Sequence, residues 1–158
     1  MKEAYDEGQL FNLLINRIRK IVQEPSDMNG KLLAICKLLM NNVPHYDWVG
    51  FYFAGRSKRE LVLGPFVGDP TEHARIPFGK GICGQAAERK ATFMVQDISK
   101  ETNYLSCSPT VQSEIVVPIF KNGKIAGELD IDSHTLSPFM EEDRKFLENV
   151  CEIVSKLF

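Results

Sequence analysis

The segment 113–132 constrains this chain most: Ser113-Glu114-Ile115-Val116-Val117-Pro118, then Asn122-Gly123, then Glu128-Leu129-Asp130-Ile131-Asp132. Two β-branched runs joined by Asn-Gly specify a tight hairpin, because both turn residues tolerate positive φ. Side chains alternate across a strand, so Glu128, Asp130 and Asp132 share one face while Leu129 and Ile131 take the other. Three acids on one strand face have two readings. One is a solvated sheet face, since charged side chains usually point to water. The other is a pocket that binds a cation or keeps a carboxyl protonated, because crowded carboxylates do not all ionise. Glu114 on the facing strand and Cys107 upstream favour the pocket.

Apolar spacing predicts a helix over 8–22 and a second starting at Ser26 or Asp27, separated by Pro25. Strands follow over 47–53 and 60–66, then a Gly/Pro-rich connection through Gly68, Pro70 and Pro77, a short helix over 83–89 and a brief strand over 92–95. Residues 97–112 have no apolar period and are long for a connection, which marks a functional loop containing Cys107. A last helix begins beyond Ser137-Pro138, with Glu141-Glu142-Asp143 suited to its N-terminus and Phe146, Leu147, Val150, Ile153, Val154 and Leu157 on its inner face. This order describes an α+β domain with helices packed on an antiparallel sheet. With 158 residues, 44% of them hydrophobic, one domain over 1–158 is expected: N-terminal helices in 1–42, sheet and site loops in 43–136, C-terminal helix in 137–158.

A net charge of -2 offers no general attraction to phosphate backbones or anionic lipid, so no nucleic acid or membrane partner is expected. The acidic N-terminus lacks the apolar core of a signal peptide, which points to the cytoplasm. The cysteines at 36, 83, 107 and 151 form no Cys-x-x-Cys pair, which argues against a disulfide framework or structural zinc. Cys36 and Cys151 fall on apolar helix faces and read as small core residues. Cys107, between Ser106 and Ser108-Pro109, has no apolar face to fill and is a candidate nucleophile. Cys83, near a predicted helix N-terminus, reads either as a thiolate favoured by the helix dipole or as a core residue. His45, His73 and His134 are too dispersed for a metal set, so no metal is predicted. Gly79-Lys80-Gly81-Ile82-Cys83-Gly84 matches a dinucleotide-binding fingerprint, but Pro77-Phe78 precedes it and a hairpin follows, which argues against a nicotinamide or flavin cofactor. On the strand over 47–53, Trp48, Gly50 and Tyr52 share a face. Gly50 there leaves a gap between two rings, read as a slot for a small apolar group or as ordinary packing.

Taken together, Trp48-Val49-Gly50-Phe51-Tyr52, Leu63-Gly64-Pro65-Phe66, Arg75-Ile76-Pro77, the 79–84 glycine segment, Cys107, 113–118 and Leu129-Asp130-Ile131-Asp132-Ser133 resemble the free methionine-(R)-sulfoxide reductases, which are GAF-domain enzymes. The resemblance implies a six-stranded antiparallel sheet flanked by N- and C-terminal helices, with no cofactor. It implies Cys107 as catalytic nucleophile, Glu114, Asp130 and Asp132 around the sulfoxide oxygen and substrate ammonium, and Trp48 and Tyr52 against the methyl group. His73 stands where many members have a cysteine that pairs with the nucleophile, which leaves Cys83 as the resolving thiol or an external thiol in its place. The implied cycle runs through a sulfenic acid and an intramolecular disulfide, recycled by a thioredoxin-like reductant, in a homodimer. The alternative is a non-catalytic GAF sensor or binding module, against which stands a chain expected to be one domain with no output partner.

Overall fold

The computed structural model describes residues 6–55, 57–105 and 108–158; Cys107 lies outside the described residues. Two capped helices open the fold. In α1 (Glu7–Gln23) the Asp6 carboxylate accepts the Gln9 N–H at 2.7 Å, and in α2 (Met28–Asn42) Asp27 accepts the Gly30 N–H at 2.7 Å. After β1 (Trp48–Ala54), β2 (Glu60–Val67) and β3 (Arg75–Pro77) comes α3 (Gly81–Arg89), then β4 (Phe93–Val95) and a 3₁₀ turn at Ile98–Lys100. The hairpin β5 (Ser113–Lys121) and β6 (Lys124–Ser133) precedes α4 (Glu141–Val154). Asn122 and Gly123 have φ of 53° and 75°, the positive pair that this hairpin turn requires.

Six strands form one sheet in the order β3-β2-β1-β6-β5-β4, every pair antiparallel. The acid-bearing strand β6 is therefore central, held by β1 on one side and β5 on the other. One sheet face carries Val49, Phe51, Ile115, Val117, Ile119, Leu129 and Ile131 into a core with α1, α2 and α4. Cys36 and Cys151 are buried in that core, where their thiols donate to the Pro65 and Val117 carbonyls. The opposite face, under α3, holds a second apolar cluster that includes Trp48, Tyr52, Cys83, Ala86 and Val116. Strand β3 falls inside the segment read as a connection: three residues ending in Pro77 carry no period-2 signal, and proline is tolerated because this is an edge strand.

Strand β1 enters the sheet past a buried anchor. The Asp143 carboxylate, fully buried at the start of α4, accepts from the Tyr46 hydroxyl at 2.7 Å and the Met140 N–H at 2.8 Å, and bonds His45 Nε2 at 2.8 Å. Burial pushes this carboxyl up, but the hydrogen bonds from His45, Met140 and Tyr46 outweigh it and hold it below the ordinary range. A depressed carboxyl stabilises the fold above the unfolded value of about 4, and that contribution is lost as pH falls through the folded value. Asp143→Asn should therefore lower stability by about 1–3 kcal/mol at pH 7. In thermal melts the gap should close below about pH 4; a gap constant with pH would contradict the anchor.

Candidate active site

The strand register decides which side chains meet. On β1, Trp48 lies beside Asp132, Gly50 beside Asp130 and Tyr52 beside Glu128. On β5, Glu114 lies opposite Asp132, Val116 opposite Asp130 and Pro118 opposite Glu128. The acids of β6 thus run between an aromatic strand and Glu114, and all four carboxyl side chains are buried: Glu128 is 0% exposed, Asp130 and Asp132 2%, Glu114 4%. The solvated reading of this face is overturned. Helix α3, with Ile98, Tyr104 and Leu105 of the connection that follows β4, covers what would otherwise be open sheet.

Trp48 crosses the strand. A Cβ on Gly50 would sit 2.4 Å from the Trp48 ring, which stacks on Phe66 with centroids 5.4 Å apart and donates from Nε1 to the Asp69 carbonyl at 2.9 Å. The gap expected at Gly50 is filled by Trp48 itself, so the glycine serves the ring's placement rather than an open slot. Tyr52, fully buried, donates its hydroxyl to the His73 carbonyl at 3.2 Å.

Cys83 is the third residue of α3 and is buried against the acids, its thiol donating to Glu114 Oε2 at 3.7 Å. The expected thiolate is not favoured here. Burial comes first in pushing this thiol well above its ordinary value, and Asp130, Glu114, Glu128 and Asp132 add to it. A helix dipole is worth up to about 2 kcal/mol, whereas burial alone can raise such a group by several times that. The Cys83 sulfur and one oxygen each from Glu114 and Asp130 lie within 4.8 Å of one another. A thiol ligates a metal only after losing its proton, which this setting opposes.

The same burial acts on the carboxyls. Asp130 is raised by desolvation, with hydrogen bonds to Glu114 and Cys83 pulling it part of the way back. Asp132 is raised further, by desolvation and then the charge of Asp130, and it too bonds Glu114. A carboxyl–carboxyl hydrogen bond needs a proton on one partner, so the row shares protons rather than carrying four charges. Across the pocket, Gly81, Ile82 and Cys83 of α3 form the opposite wall with Lys80, His73, Ile76 and Leu105. The Lys80 side chain does not cap α3, and the first residues of the helix line the pocket with Glu114 and Asp130, so its positive end lies near the acids.

Asn103 fixes the loop to this helix. Its Oδ1 accepts the Gly81 N–H at 2.9 Å, its Nδ2 donates to the Gly79 carbonyl at 2.7 Å, and its own carbonyl accepts Gln85 Nε2 at 2.9 Å. Gly81, at φ 65°, lies under Leu105, whose Cγ would be 3.0 Å from an added Cβ. The cavity left between these walls is about 10 Å³, near the room one water needs.

Comparison with known proteins finds relatives over most of the chain. The GAF domain matches residues 32–157. The free methionine-R-sulfoxide reductase of Escherichia coli K12 is 34% identical over 120 residues, 76% of this chain and 71% of that protein. Protein YtsP of Bacillus subtilis is 36% identical over 98% of this chain and 94% of its own. The X-ray structure of free methionine-R-sulfoxide reductase from Neisseria meningitidis in complex with its substrate superposes with a TM-score of 0.93 at 36% identity, covering 99% of this chain and 92% of that one. The chain belongs to the GAF-domain family of free methionine-R-sulfoxide reductases.

In this reductase-family member, Cys83, Glu114, Asp130, Asp132, Trp48 and Tyr52 come to one sheet face, while Cys107 lies outside the described residues. Asn103, Leu105, Ile76 and Lys80 also shape the site. Sequence reading gave them no site role, although Ile76 and Lys80 fall in segments that carry the family resemblance; for Asn103 the signal was its place in an aperiodic loop, as a residue type that bonds backbone groups.

Because folding raises Asp132, the protein holds that group's stability at pH below the unfolded value of about 4 and loses it as pH rises toward the folded value. Asp132→Asn should accordingly match or exceed wild-type stability at pH 8, by about 1 kcal/mol or more, with the advantage vanishing near pH 4. Chemical denaturation across this range checks it, and a variant weaker at pH 8 would refute the buried neutral acid.

Proposed function

We propose that this protein reduces free methionine (R)-sulfoxide to methionine by a thiol mechanism. The observation that carries the reading is the pairing of a buried acid row with the first turn of α3 across one small pocket. That polarity complements a free amino acid, with its ammonium toward the carboxylates and its carboxylate toward the helix, provided the walls part, since the cavity between them has room for about one water. A peptide-bound methionine lacks the ammonium. The names of the E. coli and N. meningitidis relatives support the same substrate.

Sulfoxide sulfur is a poor electrophile until its oxygen takes a proton, so a thiolate and a carboxylic acid must act together. Cys107 is assigned the attack; Leu105, two positions before it in the chain, lines the pocket. One protonated carboxyl among Glu114, Asp130 and Asp132 gives its proton to the oxygen, another stays ionised beside the ammonium, and Trp48 and Tyr52 wall the methyl group. Methionine leaves, and Cys107 keeps the oxygen as a sulfenic acid. Cys83 then condenses with it to a disulfide, and its thiol proton, already directed at Glu114, leaves with the hydroxyl as water. A thioredoxin-like dithiol returns both thiols. The cytoplasm, where such dithiols are kept reduced, and a homodimer through the terminal helices belong to the same reading; Leu13 on α1 is half exposed there.

Purified protein with dithiothreitol and racemic free methionine sulfoxide should consume one epimer, half of the total, and leave N-acetylmethionine sulfoxide untouched. Cys107→Ser should show no turnover. Cys83→Ser should keep a single turnover and lose most of its rate with a thioredoxin-like dithiol. Wild-type protein that binds free methionine sulfoxide without consuming it would instead be a sensor.

A further inference from the structure

A free amino acid differs from a residue in a peptide at two ends, and the acid row reads only one of them. An internal methionine sulfoxide has no ammonium, but one at the N-terminus of a peptide keeps it and lacks only the α-carboxylate. To exclude that substrate a site must act at the carboxylate end, which the reductase reading directs to the first turn of α3. The first helical bond there runs from the Gly84 N–H to the Lys80 carbonyl at 2.9 Å, so the N–H groups of Gly81, Ile82 and Cys83 have no acceptor within the helix. Gly81 gives its N–H to Asn103 Oδ1 at 2.9 Å, which leaves those of Ile82 and Cys83, two residues that line the cavity beside Lys80. Over Gly81 lies Leu105. It lines the same cavity and rests where the glycine has no side chain: a Cβ on Gly81 would meet Leu105 Cγ at 3.0 Å, Cδ1 at 3.2 Å and Cβ at 3.3 Å. Two residues earlier, Asn103 ties this stretch of loop to Gly79, Gly81 and Gln85 by hydrogen bonds of 2.7, 2.9 and 2.9 Å.

We propose that Leu105 is a specificity-determining residue that closes the cavity beyond the substrate carboxylate and so rejects methionine sulfoxide at the N-terminus of a peptide. The inference deepens the reductase reading and rests on it, because it takes the substrate carboxylate to lie at α3. A carboxylate ends at its two oxygens, which the Ile82 and Cys83 N–H groups can receive. A peptide carbonyl carries a further N–H and Cα, which need the room that Leu105 fills on Gly81, and it brings no negative charge to the helix end or to Lys80. The walls part to admit any substrate, since the cavity between them has room for about one water. The three bonds of Asn103 keep the Leu105 loop on α3 during that movement, so the roof over Gly81 closes again on a bound carboxylate.

Substrates altered at one end or the other separate the two controls. At about pH 6.5, where α-amino groups are protonated, the wild type should turn over free methionine sulfoxide with a kcat/KM at least about a hundredfold above that for the dipeptide methionine sulfoxide–glycine. Leu105→Ala should shrink that ratio about tenfold or more, the scale of one or two methylenes in an apolar pocket, while N-acetylmethionine sulfoxide stays excluded by the acid row. Methionine sulfoxide amide, which loses the charge but adds almost no bulk, should gain less from the variant than the dipeptide does; an equal gain on both would mean a loosened site instead of a roof and would overturn the proposal. A wild type that uses the dipeptide within about tenfold of the free amino acid, or a folded Leu105→Ala with the wild-type ratio, would also overturn it while leaving the reductase reading intact, whereas a wild type inactive on every one of these substrates would remove both. Should Leu105→Ala fail to fold, Asn103→Ala decides, because Asn103 is exposed and its loss frees the stem of the loop: the ratio should shrink there too, and an unchanged ratio overturns the proposal.

Discussion

Four carboxyl groups on β5 and β6 and the Cys83 thiol on α3 are taken out of water together, and no described basic side chain is ion-paired to them. Burying one ion costs several kcal/mol even after relaxation, so such a group keeps its proton instead of its charge. The chemistry follows from that single constraint. Protons that water would have taken at neutral pH stay in the site, beside Cys83 and near the end of α3, where the proposed reaction needs them.

The sheet register makes the constraint possible. Ile115, Leu129 and Ile131 pack against the helices while Glu114, Asp130 and Asp132 face α3, and a slip of one residue would drive the acids into the helical core. The alternation of 128–132 and the Asn122-Gly123 turn were readable from the sequence because both are local, and the helix spans follow from equally local periodicity. Whether the acid face was wet or dry was not local. It depends on α3 and on Ile98, Tyr104 and Leu105 packing over the sheet, with Asn103 tying their loop to the helix, and an aperiodic loop carries no pattern that announces what it covers.

At Cys83 and at Gly50 two readings were open, and at both the tertiary neighbours decide for packing. Cys83 does sit at a helix N-terminus, but the dipole competes with burial and four acids contributed by β5 and β6, which only the tertiary fold brings there. Gly50 does separate two rings on one strand face, yet Trp48 folds back over it toward Phe66 on β2, a partner 18 residues distant along the chain. Propensity and spacing describe what a residue permits; its neighbours across the sheet decide what it does. His73, the departure from the family pattern, lines the same pocket and lends its backbone carbonyl to Tyr52, so that position still shapes the site without a thiol.

The central claim, that the acid row holds protons which an incoming ammonium displaces, is open to calorimetry. Titrating free methionine into the protein in buffers of different ionisation enthalpy measures protons exchanged on binding. The account predicts net proton release between about pH 6 and 9, because a cation beside raised carboxyls lowers them. Binding with no proton exchange anywhere in that range would mean the row is already ionised or never ionises, and would contradict it.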